Sequence, residues 1–329
     1  MATVALTNAD MQILPLAQAD LAGLEALFDE QCNEWLRLLK WDYTIPSRLI
    51  RQVARQRELS GFVAMSGSAT IGFSYYVVES GRCSVGDIYV SKEARGVGAD
   101  RLMAAAILEK LSHLPRVRRI ESQCVGVDNE GANELFKAQG FKQFDRYYMM
   151  AGLAALDRSI FQRSEDLSAP LPGLTIRAWE EDDFTQAARI IHRSYRGQHD
   201  SRINSQYATE EGCAELLMIL TDQIWCGDFL PQVSRVAVRP ATDNQVGVLI
   251  ASCIAEGMGH IGQISILPTY QGLGLGRRMI YGALSDFYER GFNSVSLAVT
   301  SANAAALHLY ESCGFRTIHT FPVFFRDKK

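Results

Sequence analysis

Residues 271–278 read QGLGLGRR and lie between a predicted strand and a predicted helix. Glycines let the chain take positive φ angles and bring backbone N–H groups close to a ligand. Such N–H groups, with the positive end of the following helix dipole, form a seat for a pyrophosphate group. Arg277 and Arg278 add positive charge at the first turn. The stretch therefore predicts an anion-binding turn, called here the glycine turn (residues 271–276), although such turns also occur for structural reasons alone.

Two other phosphate-binding motifs do not fit the glycine turn. A dinucleotide-binding motif requires G-x-G-x-x-G, and here the third glycine, Gly276, arrives one residue early. A P-loop requires a Lys after its last glycine, and this chain has Arg277 there. A dinucleotide-binding turn also follows an early strand of a parallel sheet, whereas this turn comes late in a mixed pattern.

The elements around the glycine turn predict a mixed α/β sheet. Five apolar residues share one face of the helix that follows the turn: Met279, Ile280, Ala283, Leu284 and Phe287. Helical spacing also covers residues 184–195, 210–225 and 303–313. Strand patterns cover residues 174–178, 234–238, 246–255, 262–267, 294–299 and 321–325. This order differs from that of a regular doubly wound sheet.

The chain contains an internal repeat. Residues 95–100 (RGVGAD) match the glycine turn, with Gly98 and Gly274 lying 176 positions apart. Residues 129–141 match residues 303–315 at an offset of 174 positions. Two landmarks in the same order, at nearly the same offset, indicate a duplication.

The join between the two copies falls in residues 168–173, where two prolines, a glycine and a serine interrupt both helix and strand patterns. The length of 329 residues fits two domains of ordinary size. We predict an N-terminal domain over residues 1–155, a linker over residues 156–172 and a C-terminal domain over residues 173–329.

The composition is that of a packed globular protein, with 47% hydrophobic and 21% charged residues. A net charge of −4 and a pI near 5.9 give no general reason to expect nucleic acid or an anionic membrane as partner. No apolar run approaches the ~20 residues that cross a bilayer, and the N-terminus does not resemble a signal peptide. Seven dispersed cysteines predict free thiols in a reducing, cytoplasmic compartment, and six dispersed histidines predict no metal site.

On these motifs the sequence resembles the GNAT superfamily of N-acetyltransferases. The family's cofactor motif, [QR]-x-x-G-x-[GA] after a strand that ends near a proline, is matched by residues 271–276 after Pro268. The family's later Asn-containing helix start and L-Y-E-x-x-G-F segment are matched by Asn303 and residues 309–315. The resemblance implies two tandem GNAT domains, an acyltransferase activity (EC 2.3.1.-) and acetyl-CoA as cofactor.

The resemblance also implies a mechanism, the direct attack of a neutral amine on the acetyl thioester. Backbone N–H groups can hold the thioester carbonyl because they are fixed dipoles aimed at developing negative charge. The implied cofactor-binding residues are Ile266, Leu267, Gln271, Gly272, Leu273, Gly274, Leu275, Gly276, Arg277 and Asn303. Tyr310 matches the position of the general acid towards the departing sulfur. The alternatives are a packing role for Tyr310 and a simple helix N-cap for Asn303.

The residues leave the general base open. Gln263 and Ser265 cannot accept a proton in their neutral forms. The candidate side chains are His260, Glu256 and Asp228, and a water chain to bulk solvent is the alternative to all three.

The N-terminal copy departs from the family pattern at two positions. Asp100 stands where the family has Gly or Ala, and its carboxylate would repel and crowd a pyrophosphate. Phe136 stands in the place of Tyr310 and has no proton to give. We expect this half to be inactive, a rigid support and one wall of the acceptor cleft, unless Tyr147 or Tyr148 substitutes. A tandem arrangement with one working half resembles that of mycothiol synthase in architecture only.

We expect the acceptor to be the primary amine of a small molecule. In the family the first two helices and their loop shape the acceptor pocket, and this segment carries Tyr195, His199, Asp200, Asn204, Gln206 and Tyr207. Asp200 could pair with an amine and the aromatic rings could form a cation–π wall, whereas a solvated polar loop is the alternative, as it is for residues 41–43.

A non-catalytic acyl-CoA sensor and a transferase of longer acyl groups are the alternative functions. We expect no nucleic-acid or membrane partner, and a monomer or homodimer.

Overall fold

The computed structural model describes residues 11–123, 125, 129–155, 171–221 and 225–328. In chain order its strands are β1 (Met11–Pro15), β2 (Gly61–Ser66), β3 (Ala69–Glu79), β4 (Arg82–Val90), β5 (Arg119–Gln123), β6 (Lys142–Gly152), β7 (Thr175–Ala178), β8 (Asp228–Phe229), β9 (Arg235–Arg239), β10 (Asn244–Ala255), β11 (Met258–Ile266), β12 (Ser294–Thr300) and β13 (Arg316–Asp327). Its helices are α1 (Leu21–Leu39), α2 (Thr44–Arg55), α3 (Ala99–Ser112), α4 (Glu130–Ala138), α5 (Phe184–Tyr195), α6 (Asp200–Ile203), α7 (Glu210–Thr221), α8 (Leu275–Glu289) and α9 (Ala304–Ser312). The predicted mixed α/β organisation is confirmed.

The chain forms two compact units, each assembled from segments that are distant in sequence. Unit 1 comprises Met1–Leu39, Tyr43–Asp145 and Phe321–Lys329. Unit 2 comprises Lys40–Asp42 and Arg146–Thr320. Most of β6 thus belongs to unit 2, and most of β13 belongs to unit 1. The domain boundaries at residues 155 and 173 stay a prediction about the duplicated copies, since the packing units divide the chain differently.

The sheet of unit 1 has the strand order β1-β2-β3-β4-β5-β13. Neighbouring strands are antiparallel, except that β4 and β5 are parallel. Apolar residues of the sheet, α3 and α4 form its core, among them Ile88, Met103, Phe136 and Phe324. Fully burying one such side chain contributes about 1.5–3 kcal/mol relative to leaving it exposed.

The sheet of unit 2 has the order β6-β12-β11-β10-β9-β7, and β8 also pairs with β10. Its strands are antiparallel apart from the parallel pair β11 and β12. Helix α8 covers one face of the sheet with Met279, Leu284 and Phe287, all fully buried, as its apolar spacing predicts. Helices α5 and α7 cover the other face, where Ile191 and Leu217 have no exposed surface.

Candidate functional site

The parallel strands at the centre of unit 2 separate part-way along their length. The pairing of β11 with β12 runs from Met258 opposite Ser294 to Ile261 opposite Leu297, although both strands continue beyond it. The space between residues 262–266 and 298–300 is called here the strand gap. It is the opening that the family resemblance implies for the cofactor arm.

A register shift in β11 decides which side chains face α5 and α7. Ile250 pairs with Gln263, whereas Ala251 pairs with Ile261, so Gly262 is an extra residue in the ladder. Because one inserted residue reverses the alternation of side chains, His260 and Gln263 lie on the same face of the sheet. The strand predicted from residue 262 in fact begins at Met258, since this glycine lies within a bulge and not at a strand end.

The glycine turn has the open backbone that an anion seat requires. Gly272 and Gly274 have φ angles of +76° and +77°, in the left-handed region that favours glycine. A Cβ atom added at either position would meet no other atom within 4 Å. Helix α8 begins directly after Gly274, so its first N–H groups and the positive end of its dipole face this space. A pyrophosphate group fits these features.

The polar side chains of the glycine turn are held by their own unit. Gln271 donates from Nε2 to the carbonyl oxygen of Ile266 at 2.9 Å, and Arg277 donates from Nη2 to Ser312 Oγ at 3.3 Å. Leu273 is 54% exposed, whereas Leu275 is in the core. The exposed position of Arg277 leaves most of its guanidinium available to a ligand.

The backbone of Leu267 is already bonded on both sides. Its N–H donates to the carbonyl of Val246 at 2.9 Å, and its carbonyl accepts from the N–H of Tyr270 at 2.8 Å. The carbonyl of Ile266 accepts from Gln271 and also from Ser194 Oγ at 3.0 Å. The cofactor contacts implied for Ile266 and Leu267 therefore stay a prediction, and Leu267 has no free N–H to offer.

Asn303 and Gly276 join the glycine turn to helix α9. Asn303 is the N-cap of α9, and its Oδ1 accepts from the N–H of Ala306 at 3.1 Å. A Cβ atom at Gly276 would lie 3.1 Å from Ile266 Cδ1 and 3.2 Å from Leu309 Cδ2, so a glycine permits close packing there. The capping role of Asn303 is present in the structure, and its contact with a cofactor stays a prediction.

Tyr310 lies at the edge of the unit 2 core with 7% of its surface exposed. Its ring packs edge-on against Phe315, with centroids 6.2 Å apart. Burial raises the pKa of the Tyr310 phenol well above its usual value, and the nearby Tyr195 and Asp200 raise that pKa further. The phenol is therefore protonated at neutral pH, as a general acid must be before it acts.

Two tyrosines of the predicted acceptor segment hold Gln263. The rings of Tyr195 and Tyr207 are stacked, with centroids 3.9 Å apart and planes 4° apart. Gln263 donates to the Tyr195 hydroxyl at 3.0 Å and accepts from the Tyr207 hydroxyl at 3.1 Å. It also donates to Ser265 Oγ at 2.9 Å. Tyr195, Tyr207 and Gln263 thus form an ordered wall of hydroxyl and amide groups.

Two charged residues of opposite sign, the buried Asp200 and the half-buried Arg146, both lie next to Thr300. Asp200 is 8% exposed, and its Oδ1 accepts from the Thr300 hydroxyl at 2.5 Å. Arg146 on β6 pairs with Thr300 across the sheet, and its charge acts on the pKa values of Tyr195 and His260. No local pattern identifies Arg146 as a site residue, because β6 precedes the linker in sequence and reaches unit 2 only through sheet pairing.

His260 is buried in a polar cluster below the strand gap. Its Nδ1 lies 2.9 Å from Ser296 Oγ, which accepts from the Tyr148 hydroxyl at 2.8 Å, and its ring centroid is 4.9 Å from that of Trp41. Burial, with a smaller contribution from the charge of Arg146, lowers the pKa of His260 from 6.5 to about 4. A histidine of such low basicity is a poor acceptor for an ammonium proton.

The two carboxylates considered as bases lie at the wrong end of β11. Glu256 is exposed in the turn that precedes this strand. Asp228 is exposed and pairs with Cys253, which in turn lies opposite Gly259. Both are thus near the start of β11, whereas the glycine turn follows its end, about 25 Å further along at the usual rise per residue.

The first copy of the glycine turn, residues 95–100, has the same backbone, but two of its side chains are bonded to other residues of unit 1. Arg95 is bound by the buried carboxylate of Glu34, with one hydrogen bond of 3.0 Å. Burial alone would raise the pKa of Glu34, but its bonds to Arg95 outweigh burial and lower it. Asp100 Oδ2 accepts from the N–H of Ala132 at 2.8 Å, so it caps α4.

Unit 1 also contains a carboxylate at the position that corresponds to Gln263. Asp87 lies 176 residues before Gln263, beside the register shift between β3 and β4, and accepts from the Tyr75 hydroxyl at 3.5 Å. Burial raises the pKa of Asp87 from 3.8 to about 6, against hydrogen bonds from Gln31, Tyr75 and Tyr43 that lower it. The sequence analysis missed this cluster, although the 176-residue offset would have aligned the two positions.

A sequence model of the acetyltransferase (GNAT) family matches residues 23–141 and 204–315, well over half of the chain. The chain therefore belongs to the acetyltransferase (GNAT) family, and it is an acyltransferase with two GNAT regions. The glycine turn lies in the second region, and residues 95–100 lie in the first. The predicted family, enzyme class and tandem arrangement are confirmed.

Curated relatives match only short segments. A mycothiol acetyltransferase of Rhodococcus opacus is 40% identical over 63 residues, which are 19% of this chain and 21% of that protein. A mycothiol acetyltransferase of Thermobispora bispora is 42% identical over 76 residues, 22% and 25% of the two chains. The chain thus matches about a fifth to a quarter of the length of these relatives.

Solved structures resemble the whole chain at low sequence identity. A GCN5-related N-acetyltransferase from Sphaerobacter thermophilus has a TM-score of 0.64 and 15% identity, over 98% of this chain and 97% of that one. A tandem GNAT protein from the clavulanic acid biosynthesis pathway has a TM-score of 0.57 and 14% identity, over 96% and 98% of the two chains. At these identities the likeness shows the fold alone.

No helix in the described residues is long and apolar enough to cross a membrane. In the same part of the chain, no three or more His, Cys, Asp or Glu side chains are grouped so that they could hold a metal ion.

Proposed function

We propose that this protein transfers the acetyl group of acetyl-CoA to the primary amine of a small molecule, and that the reaction takes place in unit 2. The observation that carries the proposal is the open glycine turn at the start of α8. An added Cβ at Gly272 or Gly274 would meet no atom within 4 Å, and Gly276 adds no side chain to the turn. In unit 1, Asp100 places a carboxylate at the position of Gly276, and Glu34 neutralises Arg95. We propose that this difference in charge restricts the pyrophosphate of the coenzyme to the second turn.

In this proposal each part of the turn binds one part of the coenzyme. The N–H groups of residues 272–276 bind the pyrophosphate, and the guanidinium of Arg277 adds a full positive charge beside it. The strand gap takes the pantetheine arm, and Asn303 lies where it can contact that arm from the N-terminus of α9. When bound, acetyl-CoA supplies an activated acetyl thioester at the gap.

We propose that the acceptor reacts as a neutral amine. Burial and the charge of Arg146 lower the pKa of an ammonium ion, and in this proposal they outweigh the opposite effect of the Asp200 carboxylate, which is already bonded to Thr300. The same two causes bring the pKa of His260 to about 4. The amine can therefore lose its proton to solvent on entering the site, and no strong side-chain base is needed.

Tyr310 then supplies the proton that the leaving thiolate requires. Its phenol is protonated at neutral pH, as any tyrosine is, and burial raises its pKa further. The acceptor lies against the wall formed by Tyr195, Tyr207 and Gln263, which presents hydroxyl and amide groups and no charge. We propose a cytoplasmic location as well, which the six free cysteines of the described chain support.

A thiol-release assay tests the function. The purified protein is mixed with acetyl-CoA and a broad panel of primary amines, and free coenzyme thiol is measured. At least one amine should release thiol well above the rate without amine, and butyryl-CoA should be used less well than acetyl-CoA. Coenzyme binding without release by any amine would identify an acyl-CoA sensor instead, and a preference for the longer donor would contradict acetyl transfer.

A further inference from the structure

A cavity of unit 2 lies on the α5 face of the sheet, beside the segment that leads from β11 to the glycine turn. It has a volume of about 450 Å³. Its walls come from α5, from the ends of β9 and β10 and from the segment before the glycine turn, which contributes Leu267 and Tyr270. It is called here the arginine cavity because three arginines line it: Arg189, Arg193 and Arg239.

Two of the three arginines that line the arginine cavity have no acidic partner among the described residues. Arg189 forms an ion pair with Glu210 at 3.4 Å. Arg193 and Arg239 make no side-chain hydrogen bond or ion pair with any described residue, and both are exposed. Two unpaired guanidinium groups thus line one cavity of a chain whose net charge is −4. An anion between them would relieve their mutual repulsion and accept bidentate hydrogen bonds.

A buried amide adds a hydrogen-bond acceptor to the same cavity. Gln245 is only 7% exposed, and its Nε2 donates to Asp183 Oδ1 at 2.6 Å. Its Oε1 is buried and has no hydrogen-bond partner among the described residues. An unpartnered buried acceptor costs about 1–3 kcal/mol, so a donor supplied by a ligand would be favourable there after a small side-chain movement.

The contact of Gln245 with Asp183 also explains why the nearby acid does not cancel the cavity's charge. Both oxygens of Asp183 are held by Arg177 at 2.7 Å, and neither residue lines the cavity. Asp183 is itself 2% exposed and does not line the cavity. The lining therefore stays positive, with Glu210 the one acid paired to it in the described chain.

We propose that the arginine cavity binds the phosphate or carboxylate group of a small molecule that also carries a hydroxyl or N–H donor. Arg193 and Arg239 bind the anion, and Gln245 Oε1 accepts from the donor. The anion comes from one of two sources. It is either the phosphate that coenzyme A carries and dephospho-coenzyme A lacks, or an acidic group on a separate molecule. The proposal does not depend on acetyl transfer.

The test compares two charge-matched double variants. Arg193→Gln with Arg239→Gln removes the unpaired cations of the cavity. Arg196→Gln with Arg290→Gln removes two other exposed arginines that do not line it. All four side chains are exposed, so both variants should fold, and circular dichroism checks this.

The first arm titrates each variant with coenzyme A and with dephospho-coenzyme A in a calorimeter. If the cavity takes the terminal phosphate, the cavity variant binds coenzyme A at least about tenfold more weakly, since two charge-assisted hydrogen-bonding groups are lost. Its affinity for dephospho-coenzyme A should stay within about twofold of wild type, and the control variant should match wild type with both ligands.

The second arm measures thermal unfolding at low ionic strength with inorganic phosphate or citrate, with and without saturating coenzyme A. If the anion belongs to a separate molecule, phosphate or citrate raises the unfolding temperature of wild type and of the control in both conditions, but not that of the cavity variant. The proposal is overturned if the two double variants behave alike in both arms. Because this arm also runs without coenzyme, a failure of coenzyme binding would be recognised separately.

Discussion

The two copies of the glycine turn share a backbone and differ in the side chains beside it. Gly96 and Gly98 of unit 1 have φ angles of +80° and +86°, close to the +76° and +77° of Gly272 and Gly274 in unit 2. A helix begins immediately after each turn. In unit 1 the carboxylate of Asp100, on α3, caps helix α4. In unit 2 the corresponding helix α9 is capped by Asn303, the residue just before it.

The difference shows how a duplicated anion seat can become part of the scaffold. The conformation of the first turn survives because its glycines and its helix dipole survive. We propose that its anion binding does not, because Asp100 adds a carboxylate beside the turn and Glu34 neutralises Arg95. A fold-level match therefore locates two turns, and the charges beside them are the basis for assigning the coenzyme to the second.

The largest expected effect comes from giving unit 2 the aromatic residue of unit 1. Tyr310→Phe reproduces Phe136 and removes the proposed acid without removing the ring. We expect kcat to fall about 100-fold or more, with the KM for acetyl-CoA within about threefold of wild type. Tyr281→Phe is the matched control, since its hydroxyl donates to the carbonyl of Ser312 and has no proposed role. Unchanged kcat in Tyr310→Phe would leave Tyr310 as a packing residue.

The next largest effect is the pH dependence of stability that the buried His260 gives to unit 2. The folded pKa of His260, about 4, is below the 6.5 of the unfolded chain, so this group's contribution is fully present above pH 6.5 and is lost as pH falls towards 4. Acidification from pH 8 to pH 5 should therefore lower the free energy of unfolding by about 2 kcal/mol through His260. His260→Gln should abolish that part of the loss in urea denaturation. An identical pH dependence in the variant would mean that His260 titrates normally.

Unit 1 should respond to pH with the opposite sign. The folded pKa of Asp87, about 6, is above its ordinary 3.8, so its contribution is fully present below pH 3.8 and is lost as pH rises through 6. Acidification from pH 8 to pH 5 should therefore raise the free energy of unfolding by about 1 kcal/mol through Asp87. Asp87→Asn should remove the gain, measured by the same urea titrations. A larger gain in the variant than in wild type would reverse the assigned sign.

The smallest effect tests the internal cap of unit 1. Asp100→Ala removes the acceptor for the N–H of Ala132 and should lower the free energy of unfolding by about 1 kcal/mol. Asp100→Asn keeps an oxygen at the same place and should retain most of that stability. Acetyl transfer should be the same in both variants. A gain of coenzyme binding in Asp100→Ala would show that one side chain alone closes the first turn.

Local patterns predicted the elements of the site well. The helix predicted over residues 184–195 matches α5, and the five apolar residues assigned to one face of α8 are all buried. These succeed because helical spacing and glycine turns are encoded within a few residues. The positive φ angles of Gly272 and Gly274 follow from the same local signal.

What the sequence did not predict depends on partners far along the chain. Arg146 reaches unit 2 because β6 pairs with β12, which is about 150 residues away. Trp41 reaches the ring of His260 from the segment between α1 and α2. The hydrogen bonds that act on the pKa of Asp87 come from Gln31, Tyr43 and Tyr75, which are up to 56 residues away from it in sequence. Pairing across such distances is decided by tertiary packing and has no local signature.

The central claim, that one open glycine turn binds coenzyme A, is tested most directly by titration calorimetry of the wild-type chain and two variants. Gly276→Asp places in unit 2 the carboxylate found in unit 1, and Gly276→Ala controls for the crowding of a Cβ against Ile266 and Leu309. We predict that the wild-type chain binds a single coenzyme A. The Asp variant should bind it about 100-fold or more weakly, and the Ala variant should lose far less affinity. Full binding by the Asp variant, or a second coenzyme in the wild-type chain, would contradict the account.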